Sequence, residues 1–204
     1  MDTTDLNINQ PPHKALKALL MATLLGSGDL YKKGEEKLLY FQFERNKSAF
    51  LNNYILANGL QEFVKIDLPK QQAFIVLEDH DLYQEVLKWY DGHNKRFLPS
   101  NHSVSYHDII LFIIIFGKRR LESVTVETTL DKNSLRSFAY VLETKLDLSV
   151  IPDKMKLKIH DIVSLFINGL KTLGMLECTE LANFLSEQDK RIIANGVKAY
   201  AQIG

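Results

Sequence analysis

Residues 19–33 read LLMATLLGSGDLYKK, an apolar run that breaks into Gly26, Ser27, Gly28 and Asp29. Glycines beside a hydroxyl and a carboxylate are the residue types that cradle a phosphate or hold a divalent cation. The phosphate-loop reading fails on spacing. No Gly-x-x-x-x-Gly-Lys-Ser/Thr pattern follows, and these glycines end a helix, whereas anions prefer helix N-termini. Ala18, Ala22 and Gly26 recur every fourth residue, so they form a flat stripe on which a second helix can lie.

Other residues with chemistry to offer are basic. Lys154, Lys156 and Lys158 alternate with Met155, Leu157 and Ile159, which predicts a strand with three lysines on one face and three apolar residues on the core. Lys118, Arg119 and Arg120 form a basic run, and Lys32 with Lys33 another. The formal net charge is zero, from 25 basic and 25 acidic residues, so any anion binding must come from such local patches. Of the six histidines, His102 and His107 are closest to a metal pair, but a spacing of five does not put both on one helix face. Surface or capping roles are expected for them. His80-Asp81 and His160-Asp161 fit helix starts, where Asp complements the free backbone N–H groups. The single cysteine, Cys178, excludes an internal disulfide and reads as a small buried apolar residue.

These groups need elements to place them. PPHKALKALLMATLLG predicts a helix ending at Gly26 or Gly28, and KLLYFQFE alternates as a strand partnered by DLYKK. NKSAFLNNYILANGL predicts a helix capped by Asn46 or Ser48 and closed by Gly59. EFVKIDL and QAFIVLE form a second hairpin, and DHDLYQEVLKWYDG a helix running from an Asp cap to Gly92. The second half repeats the order: SYHDIILFIIIFG, LESVTVETT, NSLRSFAYVLETKL, DKMKLKI and HDIVSLFINGLKTLG. Gly28 matches Gly117, Ser48 and Tyr54 match Ser134 and Tyr140, Leu60 matches Leu146, and His80-Asp81 matches His160-Asp161. Two such halves are expected to pack about a pseudo-two-fold axis. The longest apolar run, from Ile109 to Gly117, is roughly half of what crosses a bilayer, and the N-terminus lacks a secretory pattern, so a cytoplasmic location is expected.

This order, with LLGSGDL and IIIFGKRRL at the two helix ends, resembles the LAGLIDADG homing endonuclease family in its single-chain form, over roughly residues 14–174. The resemblance implies an α+β fold of two pseudo-symmetric αββαββα halves. Its expected divisions are a flexible N-terminus (1–12), a first half (13–96), a linker (97–104), a second half (105–175) and a C-terminal helical extension (176–204). In that family the two motif helices cross at the axis, and their last acidic residues hold the divalent metal ions that cut DNA. Here those positions carry Ser27 and Phe116, and Asp29 stands two residues past Ser27 opposite Lys118. Mg²⁺ requires anionic oxygens, so the substitutions predict that the metal-binding carboxylates, and with them enzyme activity, are lost, with no cofactor.

The expectation is then a catalytically inactive protein that binds double-stranded DNA, as a transcriptional regulator, through Lys32, Lys33, Lys118, Arg119, Arg120, Lys154, Lys156 and Lys158. KLLYFQFE would present Leu38, Tyr40 and Gln42, and QAFIVLE would present Gln72, Phe74, Val76 and Glu78. These partly apolar faces support an alternative: a protein-interaction module, self-association, or a face covered by the C-terminal helices. A third reading is an RNA-binding splicing helper.

Overall fold

The computed structural model describes residues 11–33, 36–100, 102–120, 123–160, 162–171 and 173–201. The first half runs α1 (Pro11–Leu25), β1 (Asp29–Lys33), β2 (Glu36–Gln42), α2 (Ser48–Ala57), β3 (Val64–Asp67), β4 (Gln72–Val76) and α3 (His80–Leu87). A small hairpin follows, β5 (Tyr90–Asp91) and β6 (Asn94–Lys95). The second half runs α4 (Tyr106–Phe116), β7 (Gly117–Arg119), β8 (Val124–Glu127), α5 (Lys132–Leu146), β9 (Val150–Asp153), β10 (Lys156–Ile159) and α6 (Ile162–Gly169), and α7 (Met175–Ala182) and α8 (Glu187–Ala201) close the chain.

The duplication is visible in the sheets. One has the order β1-β2-β4-β3 and the other β7-β8-β10-β9, each built from antiparallel pairs. Register confirms the central match: Leu30 pairs with Leu39 and Leu39 with Ile75, as Arg119 pairs with Val124 and Val124 with Ile159. One step back from these pairs, Asp29 corresponds to Lys118, and one further, Gly28 to Gly117. The helical correspondences slip. Tyr54 is buried and donates its hydroxyl to the Ala15 carbonyl at 3.1 Å, whereas Tyr140 is 64% exposed. α2 has 10 residues and α5 has 15, and the two are not equivalent residue for residue.

Helices α1 and α4 lie against each other at the centre, each inside one apolar core that takes Leu19, Leu24 and Ile109 to Ile115. Ser105 and Asp108 form a reciprocal cap at the start of α4. The small-residue stripe does receive a ridge: a Cβ on Gly26 would meet the Phe116 ring at 2.5 Å. Several local expectations change. α1 begins at Pro11, and α2 is capped without the Ser48 side chain, whose hydroxyl donates to the Arg45 carbonyl. The helix expected to reach Gly92 stops at Leu87, and Gly92, with φ +62, turns the β5–β6 hairpin. Asp79 caps α3, accepting from the Asp81 and Leu82 amides, while Asp161 lies outside the described residues.

Among the described residues the C-terminal helices pack mainly on other helices and not on the outward sheet faces. α7 packs on α2, α4 and α6, and α8 on α6, all on the helical side. Lys47, buried on the first half, reaches Glu180 at 3.7 Å and sits 4.5 Å from the Phe184 ring centre. His107 faces Glu177 at 3.5 Å, which holds the Glu177 carboxyl below its usual range. Ser186 and Asp189 cap the start of α8 by exchanging hydrogen bonds. No helix among the described residues is long and apolar enough to cross a membrane.

Candidate nucleic-acid interface

Period-two alternation sorts each sheet into a face packed on the helices and a face turned outward. In the first sheet Leu39, Phe41, Ala73 and Ile75 are buried beneath the helices, and in the second Val124, Val126, Leu157 and Ile159. The row just outside the axis in the second sheet is Lys118, Thr125, Lys158 and Ile151, read straight across the strands. The next row is Glu127, Lys156 and Asp153. Lys118, Lys156 and Lys158 therefore share one outward face.

Each of these lysines has an acidic neighbour. Lys118 meets Glu44 of the first half at 2.8 Å, Lys156 meets Glu127 at 3.0 Å and Lys158 meets Asp153 at 2.9 Å. The pairs leave marks on titration: the Glu44 hydrogen bond raises Lys118, and the lysine partners lower Glu127 and Asp153. All six side chains are close to half exposed, so the pairs are solvated and weak.

The other expected site residues are placed differently. Lys154 is not in the strand; it takes a left-handed turn, φ 56, between β9 and β10, and Met155 is 53% exposed instead of in the core. Arg119 alternates to the helical side and binds Asp189 at 2.9 Å, tying β7 to α8. Arg120 is exposed just past β7. Lys32 and Lys33 belong to β1, but their side chains lie outside the described ones. His102 is buried, stacked on Trp89 at 4.1 Å between centroids, and its Nδ1 accepts from the Leu98 amide. Burial lowers its pKa. Cys178 is partly buried on α7 and not fully buried as expected.

At the axis the structure supplies a residue that the motifs do not reveal. Lys95 of β6 is only 6% exposed, and its ammonium donates to the carbonyls of Gly26 and Gly28, each at 2.9 Å. Those carbonyls follow the C-terminus of α1, near the negative pole of the helix, which favours a cation there. Burial outweighs the attraction of Asp29 and lowers Lys95 to about 7. Asp29 accepts from the Tyr90 hydroxyl at 2.9 Å. The second half grips the same helix end: the Thr128 hydroxyl donates to Leu25 O at 2.5 Å and the Thr129 amide to Gly26 O at 3.2 Å. A cleft of about 460 Å³ opens here, lined among others by Asp29, Lys95, Thr129, Asp131 and Lys154.

Ser27 and Phe116 stand at the two helix ends. Phe116 packs edge-on to Phe41 at 5.9 Å and covers Gly26. Among the described residues no group of three or more His, Cys, Asp or Glu side chains could hold a metal ion, and the Lys95 amine already occupies the Gly26 and Gly28 carbonyls. This donor set does not fit a metal pair shared between the helix ends.

No protein-family model matches the chain, and no curated protein matches it in sequence. Solved structures do. The homing endonuclease I-WcaI bound to its DNA recognition sequence is similar with a TM-score of 0.55 at 13% identity, over 94% of this chain and 93% of that one. A weaker likeness joins it to I-DmoI in complex with DNA and Mn, TM-score 0.45 at 15% identity, over 79% of this chain and 98% of that one. The chain has the α+β fold of LAGLIDADG homing endonucleases.

This finding corrects the expectation that the chain is not an enzyme. The proteins whose fold it shares are homing endonucleases, which are enzymes, and two changed side chains do not show that catalytic residues are lost. The expectation judged single positions of a motif, while the cleft assembles Asp29, Lys95 and Asp131 from three separate segments.

Proposed function

We propose that this chain binds double-stranded DNA site-specifically, laying the outward face of its second sheet along the duplex beside the axial cleft. The observation that carries the reading is the shared outward face of Lys118, Lys156 and Lys158, in a fold that a homing endonuclease solved on its recognition sequence also has. Exposed ion pairs exchange readily, so a phosphate can take each ammonium from its carboxylate at small cost. The released Glu127 and Asp153 can then accept from cytosine amino groups in the major groove. Zero net charge keeps non-specific attraction low, which favours recognition over coating. Bound beside a promoter, such a protein regulates transcription, and a reporter carrying the selected site measures that use.

Selection from random duplexes at low salt, followed by anisotropy titrations, tests the reading. A preferred site should emerge, and Lys156→Glu with Lys158→Glu should weaken binding and flatten its dependence on salt by about one in slope per lost phosphate contact. Recovery of no preferred site sinks it. A second reading has the axial cleft act on the bound strand, favoured by the convergence of Asp29, Asp131 and Lys95 there. Nicking of the selected duplex, abolished by Asp29→Asn, is the expected sign. Uncut DNA counts against it.

A further inference from the structure

The two pseudo-equivalent rows nearest the axis do not carry the same chemistry. In the second sheet the row reads Lys118, Thr125, Lys158, Ile151, and in the first it reads Asp29, Tyr40, Phe74, Lys65. Rings thus stand where the other half presents an ammonium group and a hydroxyl. Tyr31, two residues along β1 from Asp29, joins them on the same face. The Tyr40 and Phe74 centroids are 5.6 Å apart and those of Tyr31 and Phe74 6.5 Å apart, so three rings from three neighbouring strands make one platform. They line a cleft of about 650 Å³, and Tyr31 is 47% exposed.

A duplex gives such a surface little to bind. In the major groove bases offer only their edges, which amide and guanidinium groups read, while their flat faces are occupied by neighbouring bases. Unpaired bases do expose flat faces, and aromatic side chains on a sheet surface stack on them. The polar rim fits the same occupant. Lys65 lies directly across from Phe74 in register, and Gln72 donates toward the Tyr40 hydroxyl at 3.4 Å, presenting an amide beside the rings. Lys65 and Lys70 are balanced by Glu36 and Asp67 in the cleft lining, so stacking and not charge must supply the attraction. Continuity supplies the strand itself: Asp29 begins the aromatic row and also lines the axial cleft, next to the half whose outward face carries the lysines.

We propose that the first-half sheet is a stacking platform for unpaired bases, so that the chain takes a nucleic acid that is paired along the lysine face and unpaired along Tyr31, Tyr40 and Phe74. The proposal rests on nucleic-acid binding as read above and adds which form of nucleic acid is preferred.

The test compares three mixed-sequence probes by anisotropy: a full duplex, the same duplex with one arm left single-stranded, and a single strand alone. The wild-type chain should bind the half-unpaired probe more tightly than the duplex, by roughly 5- to 150-fold for each stacked base. Phe74→Ala and, separately, the more exposed Tyr31→Ala should abolish that preference while leaving duplex affinity unchanged. The preference should also persist in high salt, whereas duplex binding fades. Equal affinity for duplex and half-unpaired probes refutes the platform and spares the duplex reading. Failure to bind any probe at low salt, where phosphate contacts alone hold a duplex of any sequence, refutes both. Self-association of the wild-type chain that Phe74→Ala abolishes, with no gain from unpaired bases, overturns it in favour of a protein contact.

Discussion

Replacing Lys95 by methionine keeps the length of the side chain and removes its amine, and the consequence should depend on pH in a specific direction. The ordinary value of 10.5 falls to about 7 in the folded protein, principally through burial. Below pH 7 folded and unfolded chains both carry the proton, so Lys95 contributes no pH dependence and its burial cost is fully in force. Between pH 7 and 10.5 the unfolded chain keeps the proton and the folded one does not, so the stability of the wild-type protein rises with pH. At about 1.4 kcal/mol per pH unit, the whole window amounts to roughly 5 kcal/mol. In Lys95→Met this contribution is absent, and the Gly26 and Gly28 carbonyls lose donors at 2.9 Å. Urea unfolding of both proteins from pH 6 to 10 measures the difference. The gap in favour of the wild type should widen steadily above pH 7. Parallel curves would mean that Lys95 has the same proton affinity folded and unfolded, and the buried clamp at the end of α1 would be refuted.

Gly26→Ala should destabilise by about 1–3 kcal/mol, because the added methyl meets the Phe116 ring, and a calorimetric scan should show the loss shrinking when Phe116→Leu is made alongside it. Asp131→Ala removes a cap that accepts from the Asn133 and Ser134 amides, so α5 should lose about 1 kcal/mol in denaturant unfolding. Glu177 is held below its ordinary 4.5 chiefly by His107, 3.5 Å away, so the stability it contributes is present above pH 4.5 and lost as pH falls through its folded value. Hydrogen exchange in α7 should accelerate over that acid range in the wild type and show no such step in Glu177→Gln.

The helix–strand order and the duplication are legible in the sequence because alternation in KLLYFQFE and the glycines after α1 and α4 are local signals. What eludes sequence reading depends on distant partners or on shared conformations. Gly92 looks like a helix C-cap because a left-handed glycine also turns a two-residue hairpin, and only pairing of Tyr90 with Lys95 distinguishes the two. Lys154 looks like a strand residue because alternation cannot reveal a left-handed turn at a lysine. Lys95 sits in a polar stretch that reads as solvated, and its burial comes from carbonyls 67 and 69 residues away. The candidate face was legible in part: Lys118, Lys156 and Lys158 fall together, but Arg119 is turned away by the alternation of β7, and none of the acidic partners is marked by spacing.

The unlike rows beside the axis bear on inheritance as much as on recognition. In a symmetric homodimer one codon sets the residue on both sides, so any change is imposed twice and the target must mirror itself. Here Tyr40 and Thr125, or Phe74 and Lys158, occupy equivalent places but are separately encoded. Each half is free to drift toward its own stretch of the ligand, and a sequence bound across this axis is expected to lack a palindrome.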